Sequence, residues 1–170
     1  MLDPKMQDAF NDQINAELYS SYLYLSMAAH FESINLAGFA NWMRVQVQEE
    51  NFHAMKMYDF VNERRGRVVL AAIDEPKAEW TSPLEVFQDT YEHETKVTGL
   101  INNLVTVARE LKDHASDSFL QWFVGEQVEE EQNADKIVQE LKLMEGFPGG
   151  LFMIDRELAA RVFVPPVAAA

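Results

Sequence analysis

The chain has 170 residues, of which 48% are hydrophobic, and this is long enough for one domain with one well-packed core. Its net charge of −14 argues against binding to nucleic acid or to anionic membranes, because both attract basic surfaces. The absence of cysteine excludes disulfides, zinc fingers and cysteine-ligated iron–sulfur clusters.

The N-terminal half of the sequence predicts two long helices. Asp3-Pro4 is a favourable N-cap and first-turn pair, and the helix that it opens is expected to run from about Pro4 to Glu32. A short link then leads into a second helix, roughly Ala37 to Arg65, which Gly66 is expected to end. No signal-peptide pattern precedes these helices and no apolar stretch is long enough to span a bilayer, so we expect a cytoplasmic protein.

The C-terminal half begins with a long connection, Arg67 to Ser82, which contains Pro76. Three helices are predicted after it: from the Ser82-Pro83 cap to about Lys112, from about Ala115 to Glu145, and from about Leu151 to Val162. Residues 1–162 are therefore predicted to form one helical domain, and residues 163–170 an apolar C-terminal tail.

The lengths of the connections predict how the four long helices are arranged. The first two helices and the last two are joined tightly, so each pair is expected to be antiparallel. The long connection between the second and third helices can reach about 55 Å when extended, which is enough to run the length of helices about 40 Å long. The sequence thus predicts an all-α, up-down-down-up four-helix bundle with a short fifth helix. A connection that folds back on itself also fits the sequence.

Acidic residues interrupt the core-facing rows of all four long helices. Each row follows the 4-3-4-3 spacing of a bundle core, and the third row also includes Tyr91. One acid lies near the middle of each row: Glu17, Glu50, Glu94 and Glu130. Four full-length helices packed side by side bring their midpoints into one layer, so these acids are expected to meet. Gln127 lies beside Glu130 in the same row, and His53 follows Glu50 by three residues on the same face.

Four carboxylates in a dry core cannot all remain ionised without compensation. Two unit charges 4 Å apart repel by about 4 kcal/mol even at an effective dielectric of 20. The carboxylates can share protons, or two divalent cations can cancel their charge. Four carboxylates with one imidazole suit iron or manganese, and bridging carboxylates hold two metals close together. A single buried acid is readily explained by hydrogen bonding, but four at one depth favour a two-metal centre.

These residues and several longer stretches resemble the non-haem ferritins of bacteria and archaea. The similarity covers the chain from about Leu2 to Leu158. It includes Glu17, Glu94 and these segments: Asn15-Ala16-Glu17-Leu18-Tyr19-Ser20-Ser21-Tyr22-Leu23-Tyr24, Glu50-Asn51-Phe52-His53, Phe119-Leu120-Gln121-Trp122-Phe123 and Glu126-Gln127-Val128-Glu129-Glu130-Glu131. A lone Glu-x-x-His is a weak signal, whereas all six core positions at these separations make a strong one.

The resemblance implies a ferroxidase that oxidises Fe²⁺ with O₂ or peroxide and stores Fe³⁺ as a mineral. One iron site would comprise Glu17, Glu50 and His53. The second would comprise Glu94 and Glu130, with Glu50 bridging and Gln127 beside it. Tyr24 matches a tyrosine next to this centre in the family, where it hydrogen-bonds a ligand or supplies an electron; packing in the core is an equally good explanation of Tyr24.

The resemblance also implies features outside the central pair of sites. Glu49, Glu126 and Glu129 match a third iron site, although most acidic runs of this kind are simply solvated. A hollow homo-oligomeric shell of 24 subunits is implied as well, and the apolar tail would lie near its fourfold axis. No haem is expected, because Asn51 replaces the methionine that ligates haem in bacterioferritins. His93 is expected to point away from the core.

Two other functions remain open at this stage. A di-iron oxygenase or peroxidase on the same bundle needs a substrate pocket beside the metals, and the core neighbours Tyr24, Tyr91 and Phe123 are expected to leave none. A non-catalytic helical interaction protein does not need an acid in every core-facing row.

Overall fold

The computed structural model describes residues 1–147 and 149–165, and in these the chain forms helices and no strands. The five helices are α1 (Pro4–Ser33), α2 (Ala37–Glu63), α3 (Pro83–Glu110), α4 (His114–Leu143) and α5 (Gly150–Leu158). The all-α prediction is confirmed. None of the described helices is long and apolar enough to cross a membrane.

The starts of the helices follow the capping residues in the sequence. Asp3 accepts a hydrogen bond from the Lys5 amide at the start of α1, and Ser82 accepts one from the Glu85 amide at the start of α3. Leu36, at the start of α2, offers no side-chain cap. Instead, Asp155 of α5 accepts hydrogen bonds from the amides of Gly38 and Phe39, at 2.8 and 3.1 Å. The N-terminus of α2 therefore depends on a residue more than a hundred positions away.

Four predicted helices extend beyond their observed ends. The third and fourth helices end at Glu110 and Leu143, each two residues before the predicted end. The second helix ends at Glu63, and Arg65 rather than Gly66 adopts the left-handed conformation, with φ of 58°. Gly66 is needed for a different reason, because a Cβ there would lie 2.9 Å from a Val61 methyl group. The fifth helix ends at Leu158, four residues before the predicted Val162.

The short fifth helix has a physical cause in α2. The side-chain amide of Asn41 donates to the carbonyl oxygens of Leu158, Ala159 and Arg161, at 3.2, 3.4 and 2.9 Å. These bonds hold the chain after Leu158 in a non-helical path, in which the Leu158 carbonyl also accepts from the Arg161 amide at 3.3 Å. Residues 163–165 of the predicted tail continue without helix, and residues 166–170 lie outside the described residues. The division at residue 162 stays a prediction.

Contacts between the helices establish the topology. Along α1, Ser20 lies against His93 of α3, and Met27 lies against Thr90, so these two helices are antiparallel. Along α2, Gln46 contacts Glu130 of α4 and Arg64 contacts Asp113, so this pair is also antiparallel. Because α1–α2 and α3–α4 are tight antiparallel hairpins, α2 and α3 are parallel. The up-down-down-up prediction is confirmed.

The connection between α2 and α3 runs along α1. Its early residues Arg67 and Val69 donate backbone hydrogen bonds to Gln7 and Asn11, and Ser26 donates to the carbonyl of Lys77 near its end. The connection therefore covers most of the length of α1, and the folded-back alternative is excluded.

A buried polar layer divides the core of the bundle into two apolar clusters. One cluster contains Phe31, Phe39 and Phe87, and the other contains Phe10, Met57 and Phe123. The layer between them consists of buried polar side chains from all four helices: Gln13, Glu17, Gln46, Glu50, His53, Glu94, Gln127 and Glu130. An uninterrupted core would bury more apolar surface, so a polar layer of this size indicates a functional site.

The predicted core-facing row of α3 is wrong at Tyr91. Tyr91 is 39% exposed, and the row instead uses Thr90 and Val97, which are buried on either side of Glu94. Spacing of three or four residues permits a row through Tyr91 as well as one through Thr90. Packing against α1 buries Thr90, because Thr90 lies against Met27.

Gly38→Ala is expected to weaken the docking of α5. A Cβ at this position would lie 1.6 Å from the Asp155 carbonyl oxygen, so α5 would have to shift away and remove the cap of α2. We expect a loss of stability of about 1–3 kcal/mol or more, as overpacked sites show. Gly125→Ala is the matched control, because no atom lies within 4 Å of its added Cβ. The control should gain up to about 1 kcal/mol from better helix propensity. Equal unfolding free energies for the two variants would contradict this role of Gly38.

Candidate metal centre

The six core residues predicted as iron ligands are all buried in the polar layer. Glu17 lies near the middle of α1, Glu50 and His53 lie on α2, and Glu94 lies on α3. Gln127 and Glu130 lie one turn apart on α4. The register of the four helices thus brings together the residues that the sequence places in different parts of the chain.

Glu17, Glu50 and His53 form a compact group of potential ligands. One ligand atom from each lies within 4.8 Å of the others, and Nδ1 of His53 is 3.5 Å from Oε2 of Glu50. Among the described residues, no other group of three acid or histidine side chains has this spacing. Oε2 of Glu17 is buried without a hydrogen-bond partner, while Oε1 accepts from Gln13 at 2.9 Å. A buried carboxylate oxygen without a donor is what a cation-binding position requires.

Glu94 and Glu130 are held by neighbouring side chains on the other side of the layer. The hydroxyl of Tyr24 donates to Oε1 of Glu94, and Nε2 of Gln127 lies 3.3 Å from Oε2 of Glu94. Nε2 of Gln46 donates to Oε2 of Glu130 at 2.9 Å. These contacts fix the orientation of both carboxylates. They also place Tyr24 in direct contact with a carboxylate of the centre, in addition to its packing in the core.

Gln13 and Gln46 are members of the site that the sequence analysis missed. Both are buried and donate to core carboxylates, and the carbonyl oxygen of Gln46 has no partner. A signal was present in the sequence, because each glutamine precedes a core glutamate by four residues and therefore shares its helix face.

Burial and mutual repulsion favour protonation of the metal-free carboxylates. Burial raises the pKa of Glu50 well above its usual range, and the charges of Glu94, Glu17 and Glu130 raise it further. Burial raises the pKa of Glu94 to about 8, with Glu130 adding to the increase and the hydrogen bonds from Tyr24 and Gln127 opposing it. Divalent cations remove this penalty by compensating the negative charge.

His93 corrects an expectation from the sequence. It is half-buried, its Nε2 lies 2.8 Å from the Ser20 hydroxyl, and its ring meets the Tyr24 ring edge-on at 5.8 Å. Burial lowers the pKa of His93 to about 4, so the ring is neutral at physiological pH. His93 therefore packs against the tyrosine that orients Glu94, and is not a free surface residue.

The three acids predicted as a third iron site have different environments. Glu49 is half-buried and its Oε2 pairs with Arg161 at 2.6 Å, Glu126 is half-buried, and Glu129 is exposed. Burial raises the pKa of Glu49 to about 7, and the Arg161 charge opposes this shift. Glu126 also has a raised pKa, caused first by burial and then by the charges of Glu129 and Glu130. The third site stays a prediction.

A groove lies on the outside of α3 and α4, close to the polar layer. Because Tyr91 points outward, a groove of about 440 Å³ lies between Tyr91, Val124, Val128 and Gln127. Gln127 bonds both Glu94 and Thr98, and Glu94 itself does not line the groove. Gln127 and Thr98 therefore separate the groove from the carboxylates, and the groove does not form a substrate pocket open to them.

Comparison with known proteins identifies the family. Residues 7–144, which are most of the chain, match the sequence model of the ferritin family, described as a ferritin-like domain. The chain belongs to the ferritin family. The bacterial non-heme ferritin of Bacteroides fragilis is 45% identical to this ferritin over 161 residues, with 95% of this chain and all of the relative covered. The bacterial non-heme ferritin of Staphylococcus aureus is 37% identical over 163 residues, covering 96% and 98%.

A solved structure supports the same conclusion about the fold. The open-pore ferritin of the hyperthermophilic archaeon Archaeoglobus fulgidus is 56% identical to this ferritin, with a TM-score of 0.94. The match covers 95% of this chain and all of the archaeal chain. The resemblance to non-haem ferritins and the prediction of iron storage are confirmed, and the di-iron oxygenase alternative is not favoured.

Proposed function

We propose that this chain is a ferroxidase that oxidises Fe²⁺ at a two-iron centre inside its own helix bundle. Glu17, Glu50 and His53 bind one Fe²⁺, while Glu94 and Glu130 bind the second, with Glu50 shared between them. The observation that carries this proposal is the buried Glu17 oxygen without a partner, beside Glu50 and His53 in a compact ligand group. The residues that can ligate a cation therefore include the same buried carboxylates whose negative charge a cation would compensate.

The four carboxylates and two Fe²⁺ ions balance in charge, since four negative charges meet four positive ones. Each Fe²⁺ then gives up one electron, and one O₂ takes both electrons and two protons to leave as H₂O₂. When H₂O₂ is the oxidant, the same two electrons and two protons reduce it to water. Fe³⁺ is a stronger Lewis acid than Fe²⁺, so water bound to it loses protons readily, and we propose that the hydrolysed iron is stored as a mineral.

Tyr24 and Gln127 support the second position in this proposal. Both contact the Glu94 carboxylate, so they would orient it for an Fe²⁺ shared with Glu130. The amide carbonyl of Gln127 is available as a further oxygen ligand if the side chain rotates.

Storage of the product requires an enclosed space, and we propose that 24 copies of the chain form a shell. The net charge of −14 per chain would attract Fe²⁺ and other cations to such a particle. Iron is the substrate and the stored cargo of this assembly, and O₂ or H₂O₂ is the co-substrate.

Two measurements on purified iron-free protein test the proposal. Light scattering should give a particle of about 470 kDa, from 24 chains of 19.5 kDa, at moderate salt where repulsion between subunits is screened. An oxygen electrode should record one O₂ consumed for each pair of Fe²⁺ ions in a fast first phase that ends at two Fe²⁺ per chain. A stable monomer or dimer would contradict the shell, and oxidation no faster than in buffer would contradict the ferroxidase.

A further inference from the structure

The segment that follows α5 is docked firmly on α2. Asp155 caps the start of α2, and Asn41 binds three carbonyl groups at the end of α5 and just beyond it. These contacts place Arg161 over the ring of Trp42, with its guanidinium carbon 4.4 Å from the ring centroid. One guanidinium nitrogen also lies 3.4 Å from the Trp42 carbonyl oxygen. The position of Arg161 is therefore determined by the fold and not by Glu49 alone.

Arg161 reaches the acids that lie next to the two-iron centre. Its Nη2 pairs with Oε2 of Glu49 at 2.6 Å, and the two side chains are only 20% and 23% exposed. Glu49 adjoins Glu50 in the chain and feels the charges of Glu126 and Glu130. Among the described ion pairs, Arg161 is the sole cationic partner of Glu49.

Glu49, Glu126 and Glu129 form an acidic cluster next to the two-iron centre. A second cationic side chain lies near this cluster. Lys56 interacts electrostatically with Glu126, and its ammonium group lies 4.6 Å from the centre of the Trp122 ring. This lysine is not paired with Glu49. The cluster thus has a bound cationic side chain at Glu49 and a second cationic side chain beside Glu126.

We propose that Arg161 occupies the cation position at Glu49 and so limits tight Fe²⁺ binding to the two ions of the central site. This inference rests on the proposed ferroxidase function. A third Fe²⁺ at Glu49 has to displace a guanidinium that also stacks on Trp42 and is held in place by the docked segment. A guanidinium and a divalent ion cannot both contact Glu49 without strong repulsion. Arg161 is thus a specificity-determining residue, because it decides how many ions the chain binds before mineralisation.

Calorimetric titration of the assembled, iron-free protein with Fe²⁺ under anaerobic conditions tests this role. We expect two tight ions per chain for the wild type and three for Arg161→Gln, with the third bound at least tenfold more tightly than any third ion of the wild type. Arg156→Gln is the matched control, because Arg156 is exposed on α5 and its loss changes the net charge equally. The control should bind two ions.

A double variant locates the additional ion. Arg161→Gln combined with Glu49→Gln should return to two tight ions, because the carboxylate that receives the third ion has gone. Light scattering and the melting temperature of each variant show whether the shell and the fold are intact. If Arg161→Gln does not assemble, Asn41→Ala provides a second route, since it releases the carbonyl of Arg161 and should also admit a third ion.

The outcomes separate this inference from the proposed function. A third ion bound equally well by wild type and Arg161→Gln would overturn the role of Arg161, as would two ions in every variant. Loss of one of the first two ions in Arg161→Gln would also overturn it, by making Arg161 a support of the central site. No tight ion in any of the proteins would contradict the ferroxidase proposal itself.

Discussion

Glu17→Gln is expected to slow the oxidation of the first two Fe²⁺ ions by about 100-fold or more. Removing one partner of a buried charge pair costs about 3–5 kcal/mol, and each 1.36 kcal/mol of barrier is a factor of ten in rate. Glu17 supplies the buried oxygen that has no other partner, so no neighbouring group replaces it. Stopped-flow absorbance after mixing iron-free protein with two Fe²⁺ per chain in air measures the effect.

The same substitution should leave the metal-free protein as stable as the wild type, or more stable. Glu17 contributes to the repulsion that raises the pKa of both Glu50 and Glu94, and an amide of the same shape removes this contribution. Gln13, which donates to Glu17 at 2.9 Å, keeps an oxygen acceptor in the variant. Calorimetric melting of the metal-free proteins provides the comparison.

Glu92→Gln is the control for both measurements. Glu92 is an exposed acid on α3, where it pairs with Lys96 at 2.9 Å. Its substitution removes the same charge at a position outside the polar layer, so its kinetics and melting should match the wild type. Normal kinetics in Glu17→Gln would refute its assignment as a ligand. Slow kinetics with a large loss of metal-free stability would make Glu17 a structural residue.

The metal-free protein is expected to lose stability as the pH rises from about 5 to 9. The pKa of Glu94 is about 8 in the folded state and near 4.5 in the unfolded chain, so the folded state binds more protons between these values. Stability from this group is therefore fully present below about pH 4.5 and lost as the pH passes 8. The raised pKa of Glu50 acts in the same direction.

The size of this effect follows from the shift at Glu94. One pKa unit corresponds to 1.36 kcal/mol, so the raised pKa of Glu94 is expected to contribute several kcal/mol per chain. Calorimetry of metal-free protein at pH 5.5, 7 and 8.5 should show a falling melting temperature. Zn²⁺, which binds without being oxidised, should raise the melting temperature more at pH 8.5 than at pH 5.5, because protons no longer compete with it.

Glu94→Gln separates this effect from titration elsewhere in the particle. The variant lacks the titrating carboxyl but keeps the shape of the side chain and the other charges, so its melting temperature should depend less on pH. A wild-type melting temperature that rises over this range would contradict the raised pKa. An equal pH dependence in wild type and variant would place the titrating group outside the metal centre.

The sequence alone determines which segments form the long helices and how far along each helix its core acid lies. The caps Asp3 and Ser82 act on their own first turns, so the starts of α1 and α3 follow from neighbouring residues. The 4-3 spacing indicates the general direction of the buried face of each helix. The midpoint positions of Glu17, Glu50, Glu94 and Glu130 place them in one layer once the helices lie side by side. Both are local properties of periodicity and length.

The tertiary structure decides the features that depend on contacts between distant parts of the chain. Periodicity permits either Tyr91 or Thr90 in the core of α3, and the neighbouring α1 makes the choice. The end of α5 depends on Asn41, and the cap of α2 depends on Asp155. The ion pair between Arg161 and Glu49 spans 112 positions and has no local signature in the sequence. Hydrogen bonds and ion pairs of this kind form only when the packed helices bring donor and acceptor within about 3 Å, so spacing within one segment does not reveal them.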